Sequence, residues 1–213
     1  CIVVGDGDSI DLGNQKISFF STPYLHWPDT IFTYVEKEKF LSTCDAFGFH
    51  FSAPEVFDDL TMLSEEMTAS QKYYFDVIIS PFKPYVLQAI EKIRPLDIDI
   101  IGPSHGPVLR KDPWGAVDRY EKWAQPVIND PKKIYIGYVC CYAYTSILAE
   151  QVRKGALSVG GIDVELEDIS TLSAEEAAGK IASADAFALG SPTLNRDALP
   201  PIWDAMARLC SYV

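Results

Sequence analysis

From its first residues to about position 50 the chain alternates short apolar runs with turn formers: CIVV, then GDGDS, KISFFST, and TIFTYVEKEKFLSTCD. Runs of that length, broken by Gly, Asp and Ser, predict short strands joined by hairpins. From Pro54 to Arg94 the apolar spacing becomes helical, and YYFDVIISPFKPYVLQAIEKI predicts two helices separated at Pro81 and Pro84. DIDIIG predicts a strand running into PSHGPV, and Trp114 to Trp123 one more helix.

The stretch QPVINDPKK has the Pro, Asn and Lys content of a linker, which places a boundary near Asp130 and divides the chain into 1–130 and 131–213. Beyond it the order is regular: strand IYIGYV, helix 145–158, a GG turn, strand DVELEDI, helix 174–182, strand AFALGS, helix 198–210. Strict alternation of this kind predicts a parallel sheet with right-handed crossovers. Three strands are fewer than a doubly wound sheet commonly has, and the first unit opens within a β region. The chain is therefore expected to be an internal piece of a larger protein.

With 213 residues, 48% of them hydrophobic, there is ample material for buried cores. No apolar run reaches the ~18 residues a membrane helix needs, and CIVVGDGDSI lacks the basic start and apolar centre of a leader. No membrane partner and a cytoplasmic location are expected. Thirty acidic against eighteen basic side chains give a formal charge of -12, which repels phosphate backbones and excludes nucleic acid as a partner. The five cysteines, Cys1, Cys44, Cys140, Cys141 and Cys210, are odd in number and form no CxxC pair, so reduced thiols are expected.

The chemistry is concentrated beside turns. All three histidines lie there: His26 in TPYLHWPDT, His50 in CDAFGFHF and His105 in GPSHGPV. A lone histidine at a strand end is ordinarily a hydrogen-bonded loop residue. His26 and His105, however, both follow extended segments whose ends can open on one cleft, and Asp45 ends the segment FLSTC. Imidazole with carboxylate suits zinc or iron, and one carboxylate can bridge two metals about 3.5–4 Å apart. Three side chains do not complete such a site, so further ligands are expected outside this chain.

The run TPYLHWPDTIFTYVEKEKFLSTCDAFGFH, followed by IIGPSHGPVLR, closely resembles the flavodiiron proteins, or A-type flavoproteins. The resemblance covers essentially the whole chain. It implies an α/β architecture in which part of a metallo-β-lactamase-like αββα domain is followed by part of a flavodoxin-like doubly wound parallel sheet. It also implies two non-haem irons, with His26 on one, His105 on the other and Asp45 bridging them. The remaining ligands belong to an HxExDH motif that precedes this region in the family and does not occur here. His50 matches the family's DAFGxH histidine, which supports the ligands without binding metal. Cys44, next to Asp45, is expected to be a buried thiol pointing the other way, and Asp29 a turn residue.

In the second unit the resemblance implies FMN. The segment ALGSPTLNRDALPPIWDAM matches the loop after the third strand, where Ser191, Pro192, Thr193, Leu194 and Asn195 would lie along the flavin, Gly190 allowing the tight turn. By itself GSPT reads as an ordinary strand-to-helix turn, with Pro200 in the first helical turn. The phosphate loop departs from the family: where members have SMYGNT, this chain has Cys140, Cys141, Tyr142, Ala143, Tyr144 and Thr145. Backbone amides can still cradle a phosphate there, but Ala143 resists the positive φ that glycine adopts freely.

The activity implied is an oxidoreductase passing electrons from FMN to the irons, where O2, NO or both are reduced. A rubredoxin or a reductase would be the donor, and the assembly a head-to-tail homodimer. Two rivals stand beside it: a zinc hydrolase of the metallo-β-lactamase superfamily, and a flavodiiron paralogue that has lost its catalysis.

Overall fold

The structure, a computed structural model, describes residues 2–62, 64–126 and 128–209; Cys1 and Cys210 lie outside them, and with Cys210 the last residue of the expected helix 198–210. The chain divides into two compact units, Cys1–Gln125 and Pro126–Val213. The division falls at the start of the QPVINDPKK stretch rather than at Asp130.

The first unit is built on a mixed five-stranded sheet in the order β1 (Ser9–Asp11), β2 (Lys16–Ser21), β3 (Ile31–Val35), β4 (Phe40–Ser42) and β5 (Ile100–Gly102). Neighbours from β1 to β4 are antiparallel, and β4 with β5 is parallel, Leu41 opposite Ile101. The alternation in IFTYV turns Phe32 and Tyr34 inward, where they join Leu41 and Ile101 in the core. Helices α1 (Ser64–Tyr74), α2 (Lys83–Ile93) and α3 (Pro113–Ala124) bring Tyr74, Val86, Ile90, Ile93, Val117 and Tyr120 to the same core. Helix α3 starts where Asp112 Oδ1 accepts from Gly115 N at 2.9 Å, with Pro113 in its first turn.

One helical expectation needs correction. Residues 54–62 form no helix. Their backbone pairs with the loop after β5 instead, Val108 N donating to Val56 O at 2.8 Å and Asp58 N to Val108 O at 3.0 Å. The run does divide at its prolines, as expected, into α1 and α2. A π-turn (Phe75–Ile79) and a 3-10 turn (Ser80–Phe82) lead from α1 into α2, and each proline falls in the first turn of its element, where no N–H partner is lost. Near the start of the chain, residues 2–4 add no strand: Ile2 and Val3 are exposed and outside the sheet.

In the second unit β6 (Lys132–Tyr138) lies between β7 (Ile162–Asp168) and β8 (Ala186–Gly190), parallel to both. Tyr135 and Val139 face the core shared with α5 (Ala174–Ala182) and α6 (Pro200–Leu209), through Ala177, Ala178, Ile181, Ile202 and Ala205. Ile136, one position out of phase, faces the side where Ala149 of α4 (Tyr144–Leu157) packs. A reciprocal capping box between Ser173 and Glu176 fixes the start of α5. A mixed sheet with its helices, followed by a parallel sheet with its own, makes an α/β chain of β-lactamase-like and flavodoxin-like parts. Among the described residues, no helix is long and apolar enough to cross a membrane.

Candidate functional site

Strands β2, β4 and β5 run in one direction and β3 against them. The segments that follow β2, β4 and β5 therefore leave the sheet at the same edge, and these carry His26, Asp45 and His105. There the three side chains meet. His26 Nε2 lies 3.2 Å from Asp45 Oδ2, and His105 Nε2 lies 3.4 Å from Asp45 Oδ1. Each imidazole faces a different oxygen of one largely buried carboxylate.

No three His, Cys, Asp or Glu side chains among the described residues surround a single point, so they provide no one-metal cage. Two imidazoles on opposite oxygens of one carboxylate instead divide the donors between two positions, as a bridging ligand requires. The three residues fit a two-metal centre, with the other donors still to be supplied.

Local structure holds the three side chains in place. The Leu25–His26 peptide is cis, Leu25 is buried, and Thr30 Oγ1 donates to Trp27 O at 2.9 Å to close the turn around His26. Gly106, at φ +82, lets the chain turn directly after His105. Ser104 N donates to Cys44 O at 2.7 Å and Phe49 N to His105 O at 3.3 Å, so the Asp45 and His105 loops are bonded on both flanks. Cys44 is not the buried strand thiol expected: it lies in the turn after β4, at φ +51, and is partly exposed. Asp29 lies in a turn.

Tyr74 went unnoticed in the sequence, because YYF at the end of a helix reads as core. It is buried, with its ring edge-on to His50 at 4.9 Å between centroids and 6.2 Å from His105. Burial, together with the charges of Asp45 and Cys44, pushes its phenol well above the usual tyrosine range, so it stays protonated and able to donate. His50 is exposed and stacks edge-on against His105 at 5.1 Å.

In the second unit, β6 and β8 are parallel neighbours, so the loops after them also leave one edge. They come close: a Cβ on Gly190 would approach Thr145 Cγ2 to 3.3 Å. Ala143 adopts the left-handed conformation at φ +66, and α4 begins at the next residue without a side-chain cap. The Ser146 amide, with its hydroxyl and the Thr145 and Ala143 amides, holds the Cys140 thiol below its usual range, against desolvation. With no side-chain cap at Ala143, the first turn of α4 leaves backbone amides of the kind an anion can use. Cys141, Tyr142 and Tyr144 are exposed around this loop.

In the facing loop, Ser191 Oγ accepts from Leu199 N at 2.9 Å and donates to Pro192 O at 2.8 Å, so the hydroxyl is engaged within the loop. Leu194 and Asp197 exchange backbone hydrogen bonds, while Asn195 turns at φ +51; Thr193, Leu194 and Asn195 are exposed. Because Ala143 already has the glycine-like conformation, Ala143→Gly should remove strain rather than create the loop. The expected gain is about 1 kcal/mol, read from the urea midpoint, with little change in flavin affinity.

Two folds of this kind in this order define a class, a β-lactamase-like metal domain joined to a flavodoxin-like one. Residues 2–106 match the ODP family beta lactamase. The chain is 39% identical over 205 residues to the flavo-diiron protein FprA2 of Clostridium acetobutylicum, covering 94% of this chain and 51% of that one. It is 34% identical over 202 residues to the nitric oxide reductase of Moorella thermoacetica, covering 94% and 50%. The structure aligns with rubredoxin oxygen:oxidoreductase from Desulfovibrio gigas at a TM-score of 0.63 and 27% identity, over 99% of this chain and 52% of that one. The chain belongs to the flavodiiron protein family. It spans about half the length of the curated relatives it matches.

Proposed function

We propose that this chain carries part of the metal centre and part of the flavin site of a flavodiiron oxidoreductase that reduces O2, NO or both. The observation that carries the reading is the pair of imidazoles on opposite oxygens of Asp45. Asp45, His26 and His105 would be this chain's share of the metal ligands, the carboxylate offering one oxygen towards each imidazole's side. Cys140 to Thr145 would hold the phosphate end of FMN, chiefly through backbone amides, and Ser191 to Asn195 would line the flavin. Bound FMN would deliver electrons one at a time, and iron would accept them where zinc cannot.

The remaining metal ligands, a homodimer placed head to tail, a rubredoxin or reductase as electron donor, and a cytoplasmic setting complete this reading, supported by the family resemblance. The units 1–130 and 131–213 are its metal and flavin parts. Metal and flavin analysis of the purified protein tests it. Iron together with absorbance in the flavin bands supports the oxidoreductase, whereas zinc without iron, and no flavin uptake from added FMN, returns the hydrolase.

A further inference from the structure

We infer that Gln71 is a positioning residue for the metal centre, holding the Asp45 turn in the geometry its ligand needs; this rests on the metal reading above. The turn is held against the chain's own preference. Cys44 at φ +51 and Phe47 at φ +65 are both left-handed without being glycine, and Phe47 is buried. Three successive carbonyls of the turn are each taken by a different side chain. Thr43 Oγ1 donates to Ala46 O at 2.7 Å, Gln71 Nε2 to Phe47 O at 2.7 Å, and Tyr120 OH to Gly48 O at 3.2 Å.

Among these donors Gln71 has the role least explained by packing. Thr43 belongs to the turn itself. Tyr120 fills the core, its ring 4.9 Å from Phe47 and 5.0 Å from Phe75. Gln71 reaches in from α1 with 1% of its surface exposed, and a buried carboxamide is costly unless both ends are bonded. Both ends are bonded, and the bonds allow one orientation. Arg119 Nε can only donate, at 3.0 Å, so the amide oxygen faces Arg119, and the NH2 must face Phe47 O, which can only accept.

The turn so held is joined to both ligand loops. Gly48 N donates to Asp45 O at 3.2 Å, Phe49 N to His105 O at 3.3 Å, and Ser104 N to Cys44 O at 2.7 Å. Slack at Phe47 therefore shifts the Asp45 carboxylate against both imidazoles at once. Metal ligands tolerate displacements of only about 0.5 Å before affinity falls.

The experiment compares Gln71→Leu and Gln71→Glu with the parent in the full chain. The glutamate keeps the size and the acceptor for Arg119, but ionised it has no proton for Phe47 O. Without metal, amide hydrogen exchange at Phe49 and Ser104 is expected to be about 10-fold faster in both variants, with amides of α2 unchanged. Zinc affinity, measured by competition with a chromogenic chelator at a temperature where each variant is fully folded, should fall about 10–100-fold. On acidification the glutamate variant should regain part of its protection, because a protonated carboxyl can donate to Phe47 O. Parent-like exchange at Phe49 and Ser104 in both variants overturns the inference, and so does a loosened turn with parent-like zinc affinity. If zinc leaves the His26 and His105 resonances of the parent unmoved, it is the metal reading that has failed, and exchange still decides whether Gln71 holds the turn.

Discussion

Asp45→Ala should empty both metal positions at once, whereas His26→Ala and His105→Ala should each weaken one. The difference follows from the geometry: each imidazole meets one carboxylate oxygen, and only Asp45 touches both sides. Removing a group that binds metal directly is expected to cost more than the ~10–100-fold typical of an outer hydrogen-bond partner. Metal content after exhaustive dialysis is the measurement, made on protein that includes the remaining donors. In Asp45→Ala it should fall to background, and in either histidine variant to about half. Stability of the metal-free protein should change by only about 1–2 kcal/mol, because the carboxylate has no backbone donors among the described contacts. Equal residual metal in all three variants would show that Asp45 does not bridge.

The largest effect on folding is expected from Gly106→Ala. Gly106 sits at φ +82, and an added Cβ would lie 2.7 Å from Phe49 O, a backbone atom that cannot swing aside. The left-handed conformation alone costs a side chain about 1–2 kcal/mol, and the clash adds to it, for a total of about 3 kcal/mol. Gly13→Ala is the control. Gly13 has φ +89 with nothing within 4 Å of the added carbon, so it should lose only the conformational part, about 1 kcal/mol. Urea midpoints of the two variants separate the terms. Since the clash pushes on the carbonyl of the residue whose N–H bonds His105 O, Gly106→Ala should also displace that histidine. A shift of its imidazole resonance, absent in the Gly13 variant, would report this.

What could be read from the sequence was what depends on local pattern. The alternation of strands and helices beyond residue 130 is written in periodicity and Gly punctuation, and the three-stranded parallel sheet follows from it. His26, Asp45 and His105 could be picked out because each stands where an extended run meets turn residues, and the sheet then brings those ends to one edge. Residues 54–62 misled because their apolar spacing suits a helix, while their actual partner, Val108, is supplied from far along the chain. The link from Gln71 to Phe47 has no sequence signal at all, since a single glutamine within α1 looks like an ordinary surface residue until the fold buries it. Ala143 shows the opposite limit. The strain of a missing glycine was foreseeable, but not that the loop would adopt the left-handed turn in spite of it.

Drawing His26, Asp45 and His105 from loops after β2, β4 and β5 would also fix an order of events at a metal centre built on them. They come together only after strands far apart in sequence have paired, and such long-range pairing is the slow part of folding. No short segment of the chain can preassemble the centre, so metal should be captured late, by a sheet that already stands on its own apolar core. In a zinc finger, by contrast, the ion is what makes the chain fold. Here a chelator should strip the centre and leave the far-ultraviolet dichroism in place, and the rate of metal uptake during refolding becomes a clock for completion of the sheet.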